Sequence, residues 1–191
     1  MNSNYKVIKF RSNNSKEVND QISIEEPLEI ILKYKDKENW IENTISITMR
    51  TPGDDEDLVT GFLFNERVIE KISHIENIEA SGEAVGQYKL QNKVIVTINN
   101  SENIDIDKIK RNFLTNSSCG VCGKTSLESL EIIKKDKILK SIPKIQHEII
   151  MKSPDILKQN QSEFSKTGGI HASGLFRANG EIIAVKEDVG R

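Results

Sequence analysis

Hydrophobic and polar positions alternate along Ile41–Met49 (IENTISITM), which places Ile45, Ile47 and Met49 on one face of a predicted strand. Pro27–Tyr34 (PLEIILKY), rich in Ile and Leu, predicts a second strand. Asp36–Glu38 lies between them as a turn, so the two form an antiparallel pair. A shorter strand is expected at Tyr5–Phe10, followed by a loose polar loop from Ser12 to Asp20. Thr51-Pro52-Gly53 interrupts the alternation. From Asp54, a helix cap, the period lengthens: Leu58, Val59, Phe62 and Leu63 form one apolar stripe, and Asp55, Glu56 and Asp57 fill the first turn, where the helix dipole favours acids. Gly61 inside this helix suggests a close packing contact. Val68–Gly82 has no clear period, and Tyr88–Leu90 with Val94–Ile98 predicts a hairpin around Gln91-Asn92-Lys93.

Further along, Asp105–Leu114 reads as a helix with Ile106, Ile109 and Phe113 on one face. Thr125-Ser126-Leu127-Glu128 has the form of a capping box, and Leu127, Leu130 and Ile133 continue a helix from it. Ser153-Pro154 predicts an N-cap with proline in the first helical position, the helix running to about Ser165. Thr167-Gly168-Gly169 ends it. Strands at Ile170–Arg177 and Glu181–Lys186 are joined by a hairpin turn, Ala178-Asn179-Gly180. The expected fold class is mixed α/β (α+β): N-terminal antiparallel strands with helices, then a further strand region. The expected division is residues 1–140 and 141–191, with the boundary in the basic stretch Lys134–Lys152.

Composition narrows the function classes. The 191 residues suffice for a buried core, and 36% hydrophobic with 29% charged residues is ordinary for a globular protein. A net charge of −2 gives no electrostatic case for nucleic-acid binding. No apolar run approaches the ~20 residues of a membrane span. The polar N-terminus, MNSNYKVIKFRSNNSKEVND, lacks the apolar centre of a secretory signal, so the cytoplasm is the expected location.

Chemistry concentrates in Ser117-Ser118-Cys119-Gly120-Val121-Cys122-Gly123-Lys124, which holds both cysteines. In a cytosolic setting a Cys-x-x-Cys is more often catalytic or metal-binding than a structural disulfide. A structural zinc site wants a second close pair of ligands, whereas His74, His147 and His171 are widely separated. A thioredoxin-type motif opens a helix after a strand, but here a helix is expected before the loop. A P-loop ending in Gly123-Lys124-Thr125 would need glycine where Ser118 stands. Burial as small core residues fits poorly with the surrounding glycines, serines and lysine. What remains is nucleophilic sulfur chemistry: one thiolate accepts sulfur as a persulfide and the second cysteine resolves or assists. Lys124 and the helix start at Thr125 both favour the thiolate. No permanently bound metal is expected.

Two further stretches admit both a ligand and a plain structural explanation. Arg50-Thr51-Pro52-Gly53-Asp54 offers a guanidinium and backbone amides to an anion, or is a simple capped turn. Thr167-Gly168-Gly169-Ile170-His171 lets a backbone approach a phosphate or base, or is a helix end followed by a strand with His171 in the core. His171-Ala172-Ser173 lacks the glutamate of the zinc-deaminase His-x-Glu. The six lysines of Lys134–Lys152 read as a solvated face or a meeting place for an acidic partner.

Taken together, Glu26-Pro27-Leu28, Met49–Glu56 with Gly61-Phe62-Leu63, Ser117–Lys124, Thr167–Ala172 and Glu187-Asp188-Val189-Gly190-Arg191 resemble the formate dehydrogenase accessory sulfurtransferase family (FdhD-type). The resemblance implies a protein that takes sulfur from a cysteine desulfurase. It would pass that sulfur to the molybdenum (or tungsten) bis-guanine dinucleotide cofactor of formate dehydrogenase. It implies a persulfide on Cys119, with Cys122 as the second thiol. Thr167, Gly168, Gly169 and His171, with Arg50, become the candidate cofactor-facing residues. It further implies a cytoplasmic homodimer that binds guanine nucleotide or the cofactor. The fold would be related to cytidine deaminases, with 167–191 as the start of the deaminase-like sheet. Family members continue past this motif with a histidine-led helix and a further α/β region. A chain stopping at Arg191 is therefore expected to be a fragment or shortened form. The alternatives of another class are a non-catalytic cofactor escort and a thiol-redox or metal-binding module.

Overall fold

Leu28, Ile30, Leu32 and Tyr34 alternate with more polar neighbours and are all buried, which fixes one face of strand β3 (Glu26–Asp36) as a core face. The computed structural model describes residues 1–12, 14–99 and 143–190. These fall into two compact units, one made of 1–25 with 143–190, the other of 26–99. The first is discontinuous in sequence. The expected division at 140 grouped residues 1–25 with the strands that follow them, but they pack instead with the C-terminal part.

The first unit contains β1 (Asn2–Arg11) and β2 (Asn14–Ser23), an antiparallel hairpin. The polar stretch expected to be a loose loop is thus mostly a strand. Its residues lack apolar alternation because both faces of the hairpin are largely exposed, and backbone pairing with cross-strand charges holds it instead. Lys6 pairs with Glu17 at 3.6 Å and Lys9 with Asp20 at 2.9 Å.

Helix α2 (His147–Gln159) begins before the predicted cap, so Pro154 lies inside it. Proline offers no N–H to the carbonyl of Ile150, four residues back. The Ser153 hydroxyl donates to that carbonyl at 2.8 Å, which explains why the helix runs through. After a break at Asn160, α3 (Ser162–Thr167) ends on Gly168 in the left-handed conformation, φ 66°. Strands β7 (His171–Phe176) and β8 (Ile182–Asp188) follow as the expected hairpin. Gly180 donates to the Arg177 carbonyl at 2.9 Å within its turn.

The second unit is a four-stranded sheet in the order β4-β3-β6-β5, with β4 (Asn39–Arg50), β5 (Ile75–Val85) and β6 (Leu90–Ile98). β3 runs antiparallel to β4 and parallel to β6, and β5 antiparallel to β6. The hairpin expected around Gln91-Asn92-Lys93 instead turns at residues 86–89, and β6 runs unbroken through 91–93. Helix α1 (Asp55–Asn65) buries Val59 and Leu63 in the core cluster, with Leu58 and Phe62 packed against it. Each fully buried aliphatic side chain of this kind contributes roughly 1.5–3 kcal/mol. Asp54 holds the N-cap position, but its side chain makes no capping hydrogen bond. An added Cβ at Gly61 would meet nothing within 4 Å, so the close packing contact expected there is absent among the described residues.

One irregularity reorients the end of β4. Ser46 pairs with Ile30 and Thr44 with Ile31, leaving Ile45 as an extra, bulged residue. Before the bulge Ile41 and Ile45 point to the core; after it Ser46 and Arg50 do. Ile47 and Met49, expected beside Ile45, are therefore exposed. Parity along a strand is two, so one inserted residue reverses every later side chain.

Candidate functional site

Cys119 and Cys122, with Lys124 and the helices predicted on either side at Asp105–Leu114 and from Thr125, lie outside the described residues. The other candidate residues are described, and they divide between the two units. Thr167, Gly168, Gly169 and His171 sit together where α3 passes into β7 in the first unit, and Arg50 belongs to the second.

Arg50 is 1% exposed. Its Nε donates to Asp55 Oδ1 at 2.8 Å and its Nη2 to Asp55 Oδ2 at 3.0 Å. Nη2 also donates to Asn92 Oδ1 at 3.1 Å, and Nη1 reaches the carbonyls of Glu26 and Pro27 at 3.4 and 3.5 Å. A guanidinium has five N–H donors, and this geometry occupies all of them. Arg50 therefore ties the end of β4 to the start of α1, to β3 and to β6. The expected anion holder is instead an internal lock, because the bulge at Ile45 turns its side chain inward. The turn before α1 depends on Gly53, whose φ of 142° few other residues adopt.

The Thr167–His171 turn is anchored from two directions. The Thr167 hydroxyl donates to the Glu163 carbonyl at 3.0 Å and accepts from Ser23 Oγ at 2.9 Å and from the Gly169 N–H at 3.4 Å. Gly168 donates to the Phe164 carbonyl at 2.8 Å. Gly168, Gly169 and His171 are exposed, so His171 is not the core histidine of the structural alternative. At the other end of α3, the Glu187 carboxylate accepts from the backbone N–H groups of Glu163 and Phe164, both at 2.8 Å, and from Ser162 Oγ at 3.3 Å. Glu187, singled out in the sequence only as part of a terminal motif, thus clamps α3 to β8. Asp188 accepts from the Gly190 N–H at 2.6 Å and lies opposite His171 in the strand register. Neither Ser23 nor the Glu187 clamp carried a sequence signal, since their partners are 144 and 23–25 positions away.

Glu163 joins the same assembly. Its carboxylate accepts from the Met1 ammonium at 3.0 Å and from Asn2 Nδ2. Burial acts to raise its pKa, but the Asn2 hydrogen bond, the Met1 ammonium and the Lys166 charge together hold it below the usual carboxylate value.

Among the described residues no group of three or more His, Cys, Asp or Glu side chains is placed to hold a metal ion. No helix among them is long and apolar enough to cross a membrane.

The sequence pattern of the FdhD/NarQ family matches residues 23–191. The chain belongs to the FdhD/NarQ family. That match takes in both cysteines as well as the Arg50 and Thr167–His171 stretches. Within the family, the chain is 44% identical to the sulfur carrier protein FdhD of Picrophilus torridus, over 91% of this chain and 60% of that protein. It is 36% identical to the sulfur carrier protein FdhD of Sulfurisphaera tokodaii, over 97% of this chain and 64% of that one. It thus spans under two thirds of the length of these FdhD relatives. Its fold is also that of a crystal structure assigned as a formate dehydrogenase accessory protein from Desulfotalea psychrophila. The TM-score is 0.62 at 22% identity, over 100% of this chain and 63% of that one. This likeness agrees with the mixed α/β class expected from the sequence.

Proposed function

We propose that this chain carries sulfur as a persulfide on Cys119, receiving it from a cysteine desulfurase and delivering it to the molybdenum (or tungsten) bis-guanine dinucleotide cofactor destined for formate dehydrogenase. The observation that carries this reading is the family match, which includes the Cys-Gly-Val-Cys pair and links the chain to proteins named sulfur carriers. In the loading step the Cys119 thiolate attacks the outer sulfur of the donor's persulfide. A new S–S bond forms on Cys119, and the donor's S–S bond breaks with its electron pair leaving on the donor thiolate. No net oxidation occurs. Lys124 beside the pair favours the thiolate this attack requires.

In the delivery step the outer sulfur goes to the cofactor, here a substrate, and Cys122 attacks the Cys119 sulfur. The transferred sulfur is reduced by two electrons to sulfide as the two cysteines are oxidised to a disulfide. A dithiol reductant then restores the pair. Within the first unit, the exposed Gly168, Gly169 and His171 are the surface offered to the cofactor. Arg50 is left out of that surface, since its donors are occupied internally. The same reading makes the protein a cytoplasmic homodimer. Incubation with a desulfurase and sulfur-labelled cysteine tests it: label is expected on the wild type and on Cys122→Ala but not on Cys119→Ala. Equal labelling of Cys119→Ala would overturn the assignment.

A further inference from the structure

On the outer face of the second unit's sheet, one row of side chains crosses all four strands. The pairing register sets Glu42 of β4 beside Lys33 of β3, Lys33 beside Thr97 of β6, and Thr97 beside Asn77 of β5. This row floors an open groove of about 600 Å³. Trp40, 52% exposed, stands on its β4 side. Glu76 and Glu79 stand on its β5 side, at the edge of the sheet. Alternation alone would turn Glu76 away from Asn77 and Glu79. The register passes from Ile75, opposite Ile98, to Asn77, opposite Thr97, so Glu76 is a bulged residue and lines the groove with them.

The charges on this face do not balance. Lys33, Lys35 and Lys93 meet Glu42, Glu38 and Glu29 at 3.2, 3.6 and 2.8 Å. Glu76 and Glu79 are left without a cation among the described residues, and Glu79 accepts a long hydrogen bond from Asn77 Nδ2, at 3.4 Å. Thr97, on the floor, is only 8% exposed, and its hydroxyl makes no hydrogen bond to any described residue. A hydroxyl at so enclosed a position ordinarily has a partner. Two uncompensated carboxylates, a free hydroxyl and an exposed indole together suit a cation with a flat body. A guanidinium stacks on an indole and forks its N–H groups onto carboxylates. Lys33 already brings an ammonium to 5.9 Å from the centre of the Trp40 ring. Strands lie ~4.8 Å apart, so β4 and β5 are separated by roughly 14 Å, the reach of about four extended residues. That span exceeds a single cation and suits a stretch of chain.

We propose that this groove docks an arginine-bearing segment of a partner protein, with one guanidinium on Glu76 and Glu79 above Thr97 and another on Trp40. The proposal does not rest on the sulfur-carrying role, which uses none of these residues.

Trp40 is the only tryptophan of the chain, so its fluorescence reports on the groove directly. Titrating the full chain with a capped arginine-glycine repeat peptide is expected to give a saturable change that weakens as salt is added. The same peptide with glutamine in place of arginine is expected to give none. By calorimetry, the double variant Glu76→Gln/Glu79→Gln is expected to bind the arginine peptide about tenfold more weakly, and Trp40→Ala about threefold. Thr97→Val, which keeps the shape and loses the hydroxyl, is expected to weaken binding about threefold. Thermal unfolding of each variant at the wild-type temperature assigns these losses to the groove. No response to the arginine peptide, an equal response to the glutamine peptide, or wild-type affinity in the double glutamate variant would overturn the site. Spermine separates a protein segment from a small polycation: affinity equal to the peptide's would overturn the protein partner.

Discussion

Arg50 and Asp55 form a two-pronged ion pair, Nε to Oδ1 at 2.8 Å and Nη2 to Oδ2 at 3.0 Å, that fastens the last residue of β4 to the first residue of α1. The arginine is almost wholly buried, so its charge depends on this partner for compensation. Asp55→Ala should lower the unfolding free energy by about 3 kcal/mol, because it strands a buried guanidinium. Arg50→Lys should also destabilise the protein, since an ammonium cannot match the two-pronged geometry. Urea unfolding measures both, and an unchanged midpoint in Asp55→Ala would contradict the role of the pair.

The bulge at Ile45 makes a paired prediction about β4. Ile45→Ala, at a 3% exposed core position, should cost about 2–4 kcal/mol. Ile47→Thr, two residues on but 48% exposed, should change stability by no more than about 0.5 kcal/mol. Similar losses in the two variants would mean that the strand is not bulged where the pairing places it.

Gly61→Ala should stabilise α1 by about 0.5–1 kcal/mol, since the methyl group enters open space and the helix loses an unfavourable glycine. A rise in thermal unfolding temperature is the expected readout. A fall would reveal a neighbour at Gly61 that the described residues do not include.

Acid should weaken the assembly around Glu163. Its folded pKa lies below the ordinary value of 4.5, and Glu29 is shifted the same way by its hydrogen bonds from Lys93 and Thr44. A depressed carboxylate contributes stability that is fully present above its unfolded pKa and lost as pH falls through the folded value. The unfolding free energy should therefore decline below about pH 4.5. In Glu163→Gln that decline should be shallower, from a lower starting point at neutral pH. An acid slope identical to wild type would show that Glu163 does not carry it.

The parts of the fold visible in the sequence are those written in local pattern. Leu28, Ile30, Leu32 and Tyr34 mark a strand, Val59 and Leu63 a helix face, and Ala178-Asn179-Gly180 a turn, each within a few residues. What stayed hidden depends on distant partners. β2 is held by pairing with β1 rather than by its own apolar pattern. Pro154 is tolerated because Ser153 satisfies Ile150. Arg50 points inward because of one extra residue at Ile45. The same holds at the candidate site. The glycines at 168 and 169 are conspicuous in the sequence, whereas the Ser23 and Glu187 contacts behind them join residues far apart in the chain.

The central claim is that sulfur rides on Cys119. Peptide mass mapping after incubation with desulfurase and cysteine, with persulfides trapped by an alkylating reagent, addresses it directly. The account predicts one added sulfur atom on Cys119, unchanged by Cys122→Ala and removed by a dithiol. The added sulfur on Cys122 alone, or on neither cysteine, would contradict it.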